Sequence, residues 1–362
     1  MRIAFVCCTP YHIILSVHLS ETVYKNYEKD IFICNHFNNS YEVFNELKQQ
    51  SNWRKVFFVE DHEINYDKSF LKCKKISFFL NKDIKQIIDT ENESVYYDEI
   101  CIFTHNIFSK MLFENAQNLN GNLKINYIEE GTSTYTLIEP DNLKNKMLNI
   151  LVKLLKRKVF SNKDITDLHL FKPELYIGDS KKDLNKIPHV DKSNTLLLEN
   201  LNNIFSYDPL KIPYDNYNCI YFDQTISKDG EININEKEFL AKMIEHTTNK
   251  KLIVKLHPRD SKDKYQQYPT IKAHSDGSIP WELIYFNENL EDMTLISIRS
   301  SSVFTPKIMF NKENKIVLLY KIAGIKDELF ERFVDSFKKL YREDKIFIPE
   351  NWKEFEEVIR KD

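Results

Sequence analysis

Unbroken apolar, β-branched and aromatic runs recur along the chain at 2–8, 31–34, 56–59, 100–103, 125–128 and 175–177. Between them lie longer stretches, at 11–24, 41–49 and 107–118, whose apolar positions repeat with helical spacing. Strands that are apolar on both faces and alternate with helices predict a parallel sheet covered on both sides. From 179 to 218 the chain turns polar and irregular around Pro188, Pro209 and Pro213, as an interdomain connection does. Alternation then resumes, with strands predicted at 219–222, 252–256, 283–286, 293–298 and 316–319. Helices are predicted at 236–245, from Val303, at 327–341 and from Trp352. The expected fold class is α/β, with two Rossmann-like domains, 1–190 and 191–362, facing a cleft.

Composition narrows this picture. A chain of 362 residues exceeds one typical core, and a 42 % hydrophobic fraction is enough to fill two. Its 51 basic and 54 acidic residues leave a net charge of −3, so no global field attracts nucleic acid. The six cysteines lack CxxC spacing, and Cys7, Cys8, Cys101 and Cys219 sit in strand-like runs. They read as buried free thiols of a reducing compartment rather than as disulfides or a zinc site. The N-terminal apolar run is ended by Thr9-Pro10-Tyr11-His12, too early for a signal peptide, and no run reaches membrane-spanning length. A cytoplasmic protein is expected. Residues 143–163 carry seven Lys and Arg and no acid on an amphipathic pattern. Such a helix presents a solvated basic face, or one that rests on the inner face of the membrane or on a lipid-linked acceptor.

Three polar clusters each follow a strand-like run: Glu129-Glu130-Gly131, His257-Pro258 and Ser300-Ser301-Ser302. In open α/β sheets, ligands bind beyond the carboxyl ends of strands. A carboxylate, an imidazole and hydroxyls there supply a base for an incoming hydroxyl, an acid for a leaving phosphate, and donors for its oxygens. The adjacent carboxylates of Glu129 and Glu130 are expected to repel, lifting one pKa toward the general-base range. The serines are expected to open a helix, where hydroxyls and free N–H groups make an anion site. Glu282, after Pro280-Trp281, is a candidate partner for ribose hydroxyls. Thr9, Tyr11, His12, Asn106 and Gln224 take strand-end places where a donor or acceptor sugar could be touched. The six glycines form neither GxGxxG nor GxxxxGK, which argues against dinucleotide and P-loop sites. No Asp-x-Asp is present to hold a metal against a diphosphate.

In this order and spacing, Glu129-Glu130-Gly131, His257-Pro258 and Ser301-Ser302, supported by Thr9-Pro10, resemble bacterial sialyltransferases. Glycosyltransferase family 52, the lipooligosaccharide and capsule sialyltransferases, is the nearest in pattern, and the bacterial polysialyltransferases are related. The resemblance implies a GT-B fold, CMP-sialic acid as donor, inversion at the anomeric carbon, and neither cofactor nor required metal. It implies transfer to a hydroxyl of a terminal sugar, galactose foremost, of capsule or lipooligosaccharide. Glu130 or Glu129 would be the base and His257 the acid or electrostatic partner of the departing CMP phosphate. Pro258, Ser300, Ser301, Ser302, Thr9, Gln224 and Glu282 fall on the donor side, and Tyr11, His12 and Asn106 on the acceptor side. Tyr11-His12 stands where the family leads one to expect Leu-Gln or a similar pair, a departure that bears on acceptor preference more than on chemistry. A homodimer is left open.

Two other readings compete. A Lys-x-His-Pro strand end also resembles teichoic-acid-type enzymes that transfer glycerol phosphate from CDP-glycerol, and other nucleotide-sugar transferases share the architecture. A non-catalytic capsule-assembly protein is the alternative from another class, against which stands the concentration of polar groups at strand ends.

Overall fold

The computed structural model describes residues 1–61, 84, 88, 95–136, 162–178, 182–208, 214–224, 235–247, 250–257, 265–268, 272–274 and 279–361. Pro258 and nearly all of the basic segment at 143–163 lie outside the described residues. The chain divides into two compact units, one of Met1–Pro188 with Glu199–Ser206 and one of His189–Leu198 with Tyr207–Asp362.

The first unit is built on a seven-stranded sheet of order β3-β2-β1-β4-β5-β6-β7, parallel throughout. Its strands are β1 (Arg2–Cys7), β2 (Glu28–Cys34), β3 (Lys55–Val59), β4 (Glu99–Ile102), β5 (Lys124–Ile128), β6 (Asp167–Leu170) and β7 (Asp183–Lys186). Ile3 through Cys7 and Ile31 through Cys34 are buried without alternation, as a sheet covered on both faces requires. Phe32 stacks on Phe57 with ring centroids 4.7 Å apart, and Phe5 meets Tyr24 and Trp53 edge-on. Helix α1 (Pro10–Glu21) follows β1, with Thr9 as its N-cap and Pro10 in its first turn. Helix α2 (Ser40–Lys48) joins β2 to β3, and α3 (Ile107–Leu119) joins β4 to β5. The expected strand at 175–177 is absent, because Pro173 leads a 3₁₀ turn, Pro173–Leu175, there.

The second unit carries a six-stranded sheet of order β10-β9-β8-β11-β12-β13, also parallel. Its strands are β8 (Cys219–Phe222), β9 (Leu252–Lys255), β10 (Lys272–His274), β11 (Thr294–Ser297), β12 (Lys315–Leu318) and β13 (Ile346–Phe347). The predicted strand at 283–286 is instead helical, within Trp281–Asn287. Its aromatic, β-branched composition reads as strand, but two parallel neighbours need a crossover between them, and this segment supplies it between β10 and β11. Phe304 anchors the far flank, edge-on to Phe333 and Phe337 of the helix Glu328–Lys338.

Both sheets wind the same way. The chain lays three strands outward from β1, or from β8, then returns to start again on the other side at β4, or at β11. Each reversal makes a topological switch point, where an open α/β sheet leaves a crevice at its carboxyl edge.

Candidate functional site

In the first unit, the switch point between β1 and β4 gathers the exits of β1, β4 and β5. His12, in the first turn of α1, is fully buried and stacks on Phe103, just past β4, with centroids 4.3 Å apart. The backbone N–H of Cys8 donates to His12 Nδ1 at 3.0 Å. A backbone amide can only donate, so Nδ1 accepts and the ring proton sits on Nε2. Nε2 lies 3.1 Å from Glu130 Oε1 and therefore points that proton at the carboxylate. The Glu130 side chain is 34 % exposed, leaving it open to solvent. Gly131 explains the third letter of the motif. Its φ of 70° and ψ of −157° belong to a region that essentially only glycine adopts, and this bend opens the short helix Thr132–Tyr135.

Glu129 points elsewhere. It is 1 % exposed, and its Oε2 accepts from the Tyr135 hydroxyl at 2.5 Å and the Phe171 N–H at 2.9 Å. Burial pushes its carboxyl up to about 7, against the pull of these two hydrogen bonds. The expected repulsion between adjacent carboxylates is thus not the cause: the shift falls on Glu129 and comes from loss of water. Two successive glutamates face different surroundings, one holding the turn together and one half-exposed beside His12.

Thr9 accepts from the His12 N–H at 3.3 Å and caps α1, while Tyr11 stands partly exposed in the same turn. Asn106 is buried and caps α3. Its Oδ1 accepts from the Ser109 N–H at 2.6 Å, and its Nδ2 donates to Cys8 Sγ at 2.7 Å. These contacts turn its amide into the fold rather than toward an acceptor.

The second unit holds the other set, at the exits of β9, β8 and β11. In register, Phe222 of β8 pairs with Lys255 of β9 and with Ser297 of β11. Gln224 and His257 therefore leave neighbouring strands at one level, and Ser300 leaves the strand on the other side of β8. Gln224 Oε1 accepts from Ser297 Oγ at 3.1 Å and from the Arg299 N–H at 2.8 Å, which clamps the switch point between β8 and β11. Ser300 Oγ accepts from the Ser302 N–H at 3.3 Å, and Trp281 Nε1 donates to the Ser302 carbonyl at 3.0 Å. Ser300, Ser301 and Ser302 stay partly exposed. They do not open a helix at Val303 as expected. A single 3₁₀ turn, Ser301–Val303, comes first, and the helix Thr305–Phe310 that follows is six residues long. Hydroxyls and amides, more than a macrodipole, are what this turn offers an anion. Glu282 accepts from Thr305 Oγ1 at 3.3 Å, and burial raises its carboxyl above the ordinary value.

A family model, alpha-2,8-polysialyltransferase (POLYST), matches residues 3–319. The chain belongs to that family. It is thus a transferase of the sialyltransferase kind, and the expected kinship with bacterial sialyltransferases is borne out. No curated protein matches this polysialyltransferase-family chain in sequence. Among solved structures it is similar to the α/β-galactoside α-2,3-sialyltransferase of Photobacterium phosphoreum, with a TM-score of 0.53 at 12 % identity, covering 96 % of this chain and 98 % of that one. Arabidopsis thaliana UGT89C1, complexed with UDP, gives a TM-score of 0.53 at 10 % identity over 99 % and 90 % of the two chains. The spinosyn rhamnosyltransferase SpnG gives 0.51 at 8 % identity over 99 % and 89 %. The fold is the GT-B type expected from the sequence. No helix among the described residues is long and apolar enough to cross a membrane.

Sequence reasoning had placed His12 on the acceptor side and did not pair it with Glu130. One signal was present: Cys8 and His12 are four apart across the Thr9-Pro10 helix start, a spacing that turns the imidazole back over the end of β1.

Proposed function

We propose that this polysialyltransferase-family protein transfers sialic acid from CMP-sialic acid, with inversion and without a required metal, to the hydroxyl of a sugar at a glycan terminus. The observation that carries the reading is the His12–Glu130 pair at the switch point of the first sheet. Glu130 accepts the proton of the incoming hydroxyl. His12, its tautomer set by the Cys8 N–H, holds one carboxylate oxygen and aims the other at substrate. On the donor side, His257 neutralises or protonates the departing CMP phosphate. Ser300, Ser301 and Ser302 donate to its oxygens, Gln224 keeps their turn in place, and Glu282 receives ribose hydroxyls. A monophosphate leaving group carries less charge than a diphosphate, so hydroxyls, amides and one imidazole suffice.

The family description supports a terminal sialic acid as acceptor, extended through α-2,8 linkages, over the galactose suggested by the name of the Photobacterium enzyme. The protein acts on capsule or lipooligosaccharide glycans from the cytoplasmic side.

A donor panel tests the reading. Purified protein incubated with sialylated and galactose-terminated oligosaccharides should consume CMP-sialic acid and lengthen the sialylated acceptor. Turnover of CDP-glycerol instead would establish the glycerophosphate reading. Inertness toward every nucleotide donor, with glycan unchanged in cells carrying Glu130→Gln, would return the chain to a scaffold role.

A further inference from the structure

A second cluster of chemically active side chains lies beyond the carboxyl ends of β1, β2 and β3, and the proposed transfer uses none of them. Cys34 ends β2, His36 follows two residues later, and Asp61 lies two residues past β3. One potential donor atom from each of these three falls within 4.8 Å of the others. His36 Nε2 stands 2.6 Å from Asp61 Oδ1. Cys8, just past β1, borders this three-residue group without belonging to it, its side chain hydrogen-bonded to Cys34 and to His36. All four are shielded: Cys34 is 0 % and Cys8 3 % exposed, and the side chains of His36 and Asp61 are 5 % and 0 % exposed.

The backbone holds this arrangement in place. The Asn35 N–H donates to the Val59 carbonyl, and the Asp61 N–H donates to Asn35 Oδ1, each at 3.0 Å, tying the exit of β2 to the exit of β3. The donors thus come from the exits of three adjacent strands, with only Cys34 and His36 close in sequence.

We propose that Cys34, His36 and Asp61, joined by Cys8 as its sulfur turns in from beside Cys34 and His36, form a binding site for one zinc-class divalent cation. Two thiolates, an imidazole and a carboxylate are the soft-to-borderline donor set that zinc takes, and four protein ligands make a closed, structural site. In a tetrahedral site with ordinary zinc bond lengths, donor atoms stand roughly 3.3–3.8 Å apart. The His36–Asp61 hydrogen bond therefore opens by about 1 Å on binding. The proton between them and the thiol protons pass to solvent, and no oxidation state changes. The cation would lace three strand ends together. Because the N–H of Cys8 positions His12, it would also brace the His12–Glu130 pair. The site stands or falls independently of which donor the enzyme uses.

The test uses the full chain, stripped with a chelator, then titrated with zinc and separately with cobalt(II). Retention of one zinc per chain after dialysis is expected, as is a cobalt spectrum with thiolate charge transfer and the intense visible bands of four-coordination. Cys34→Ser and His36→Ala should each weaken zinc binding at least about tenfold, while Cys219→Ser in the other unit should leave it unchanged. Sub-stoichiometric zinc, a weak six-coordinate cobalt spectrum without charge transfer, or undiminished binding in both ligand variants would overturn the site. Where a ligand variant fails to fold, the wild-type cobalt spectrum decides alone.

Discussion

At the scale of single residues, the two glutamates of one motif separate into a buried carboxylate that holds the turn and a half-exposed one paired with His12. Glu130→Gln and His257→Ala are each expected to lower kcat by roughly two to four orders of magnitude, the range for a positioned base or acid. Turnover near wild type in either variant would remove that residue from the mechanism. Glu129→Gln keeps an acceptor for Tyr135 and Phe171 and should retain most activity. Its effect belongs to stability. A carboxyl raised from 4.5 to about 7 in the folded state holds its proton longer there than in the unfolded chain. The stability it contributes is complete below 4.5, declines as pH rises toward 7, and is gone above it. That window is worth about 3 kcal/mol at 1.36 kcal/mol per pH unit. Melting temperatures across this range should slope downward with pH for the wild type and lose part of that slope in Glu129→Gln. Equal slopes would mean that Glu129 ionises as it does in water. The sequence showed both glutamates but not their division of labour, because burial depends on Tyr135 and Phe171, which meet Glu129 only when the chain turns at Gly131.

At the scale of elements, strand exits were legible because apolar runs stop abruptly at polar residues, as Ile128 gives way to Glu129 and Leu256 to His257. Elements without that contrast were not. Asp183–Lys186 pairs as an edge strand while carrying three polar residues of four, and only its ladder with β6 makes it one. Trp281–Asn287 shows the opposite failure, an apolar run made helical by the crossover it must supply. The Cys8, Cys34, His36 and Asp61 group was invisible for a third reason: Cys8, the Cys34–His36 pair and Asp61 lie far apart along the chain, and parallel strand pairing brings them near. The serine turn was misread as a helix start, so under the proposed reading its contribution to anion binding is expected through hydroxyls. Ser301→Ala and Ser302→Ala should each weaken CMP binding by about 1–3 kcal/mol if they meet a charged phosphate. Calorimetric titration of the double variant with unchanged affinity would sever the turn from the nucleotide.

At the scale of the whole molecule, two parallel sheets wound alike place each polar set at a switch point of its own. The alternation of runs made the two-sheet architecture readable, while the strands Asp183–Lys186, Lys272–His274 and Ile346–Phe347 escaped it. Cys7, Cys8, Cys34, Cys101 and Cys219 are buried free thiols, so covalent cross-links contribute nothing among the described residues. A melting curve recorded with and without reducing agent should therefore coincide, and a drop under reduction would reveal a bridge. Among the described residues, the groups given chemical roles in the proposed transfer, Glu130, His257 and His12 in the first turn of α1, all lie just past carboxyl edges rather than within the strands. Heritable variation can consequently rewrite substrate preference turn by turn while the hydrogen-bonded frame stays silent, and laboratory selection for new acceptors would do best to randomise those exits and spare the strands.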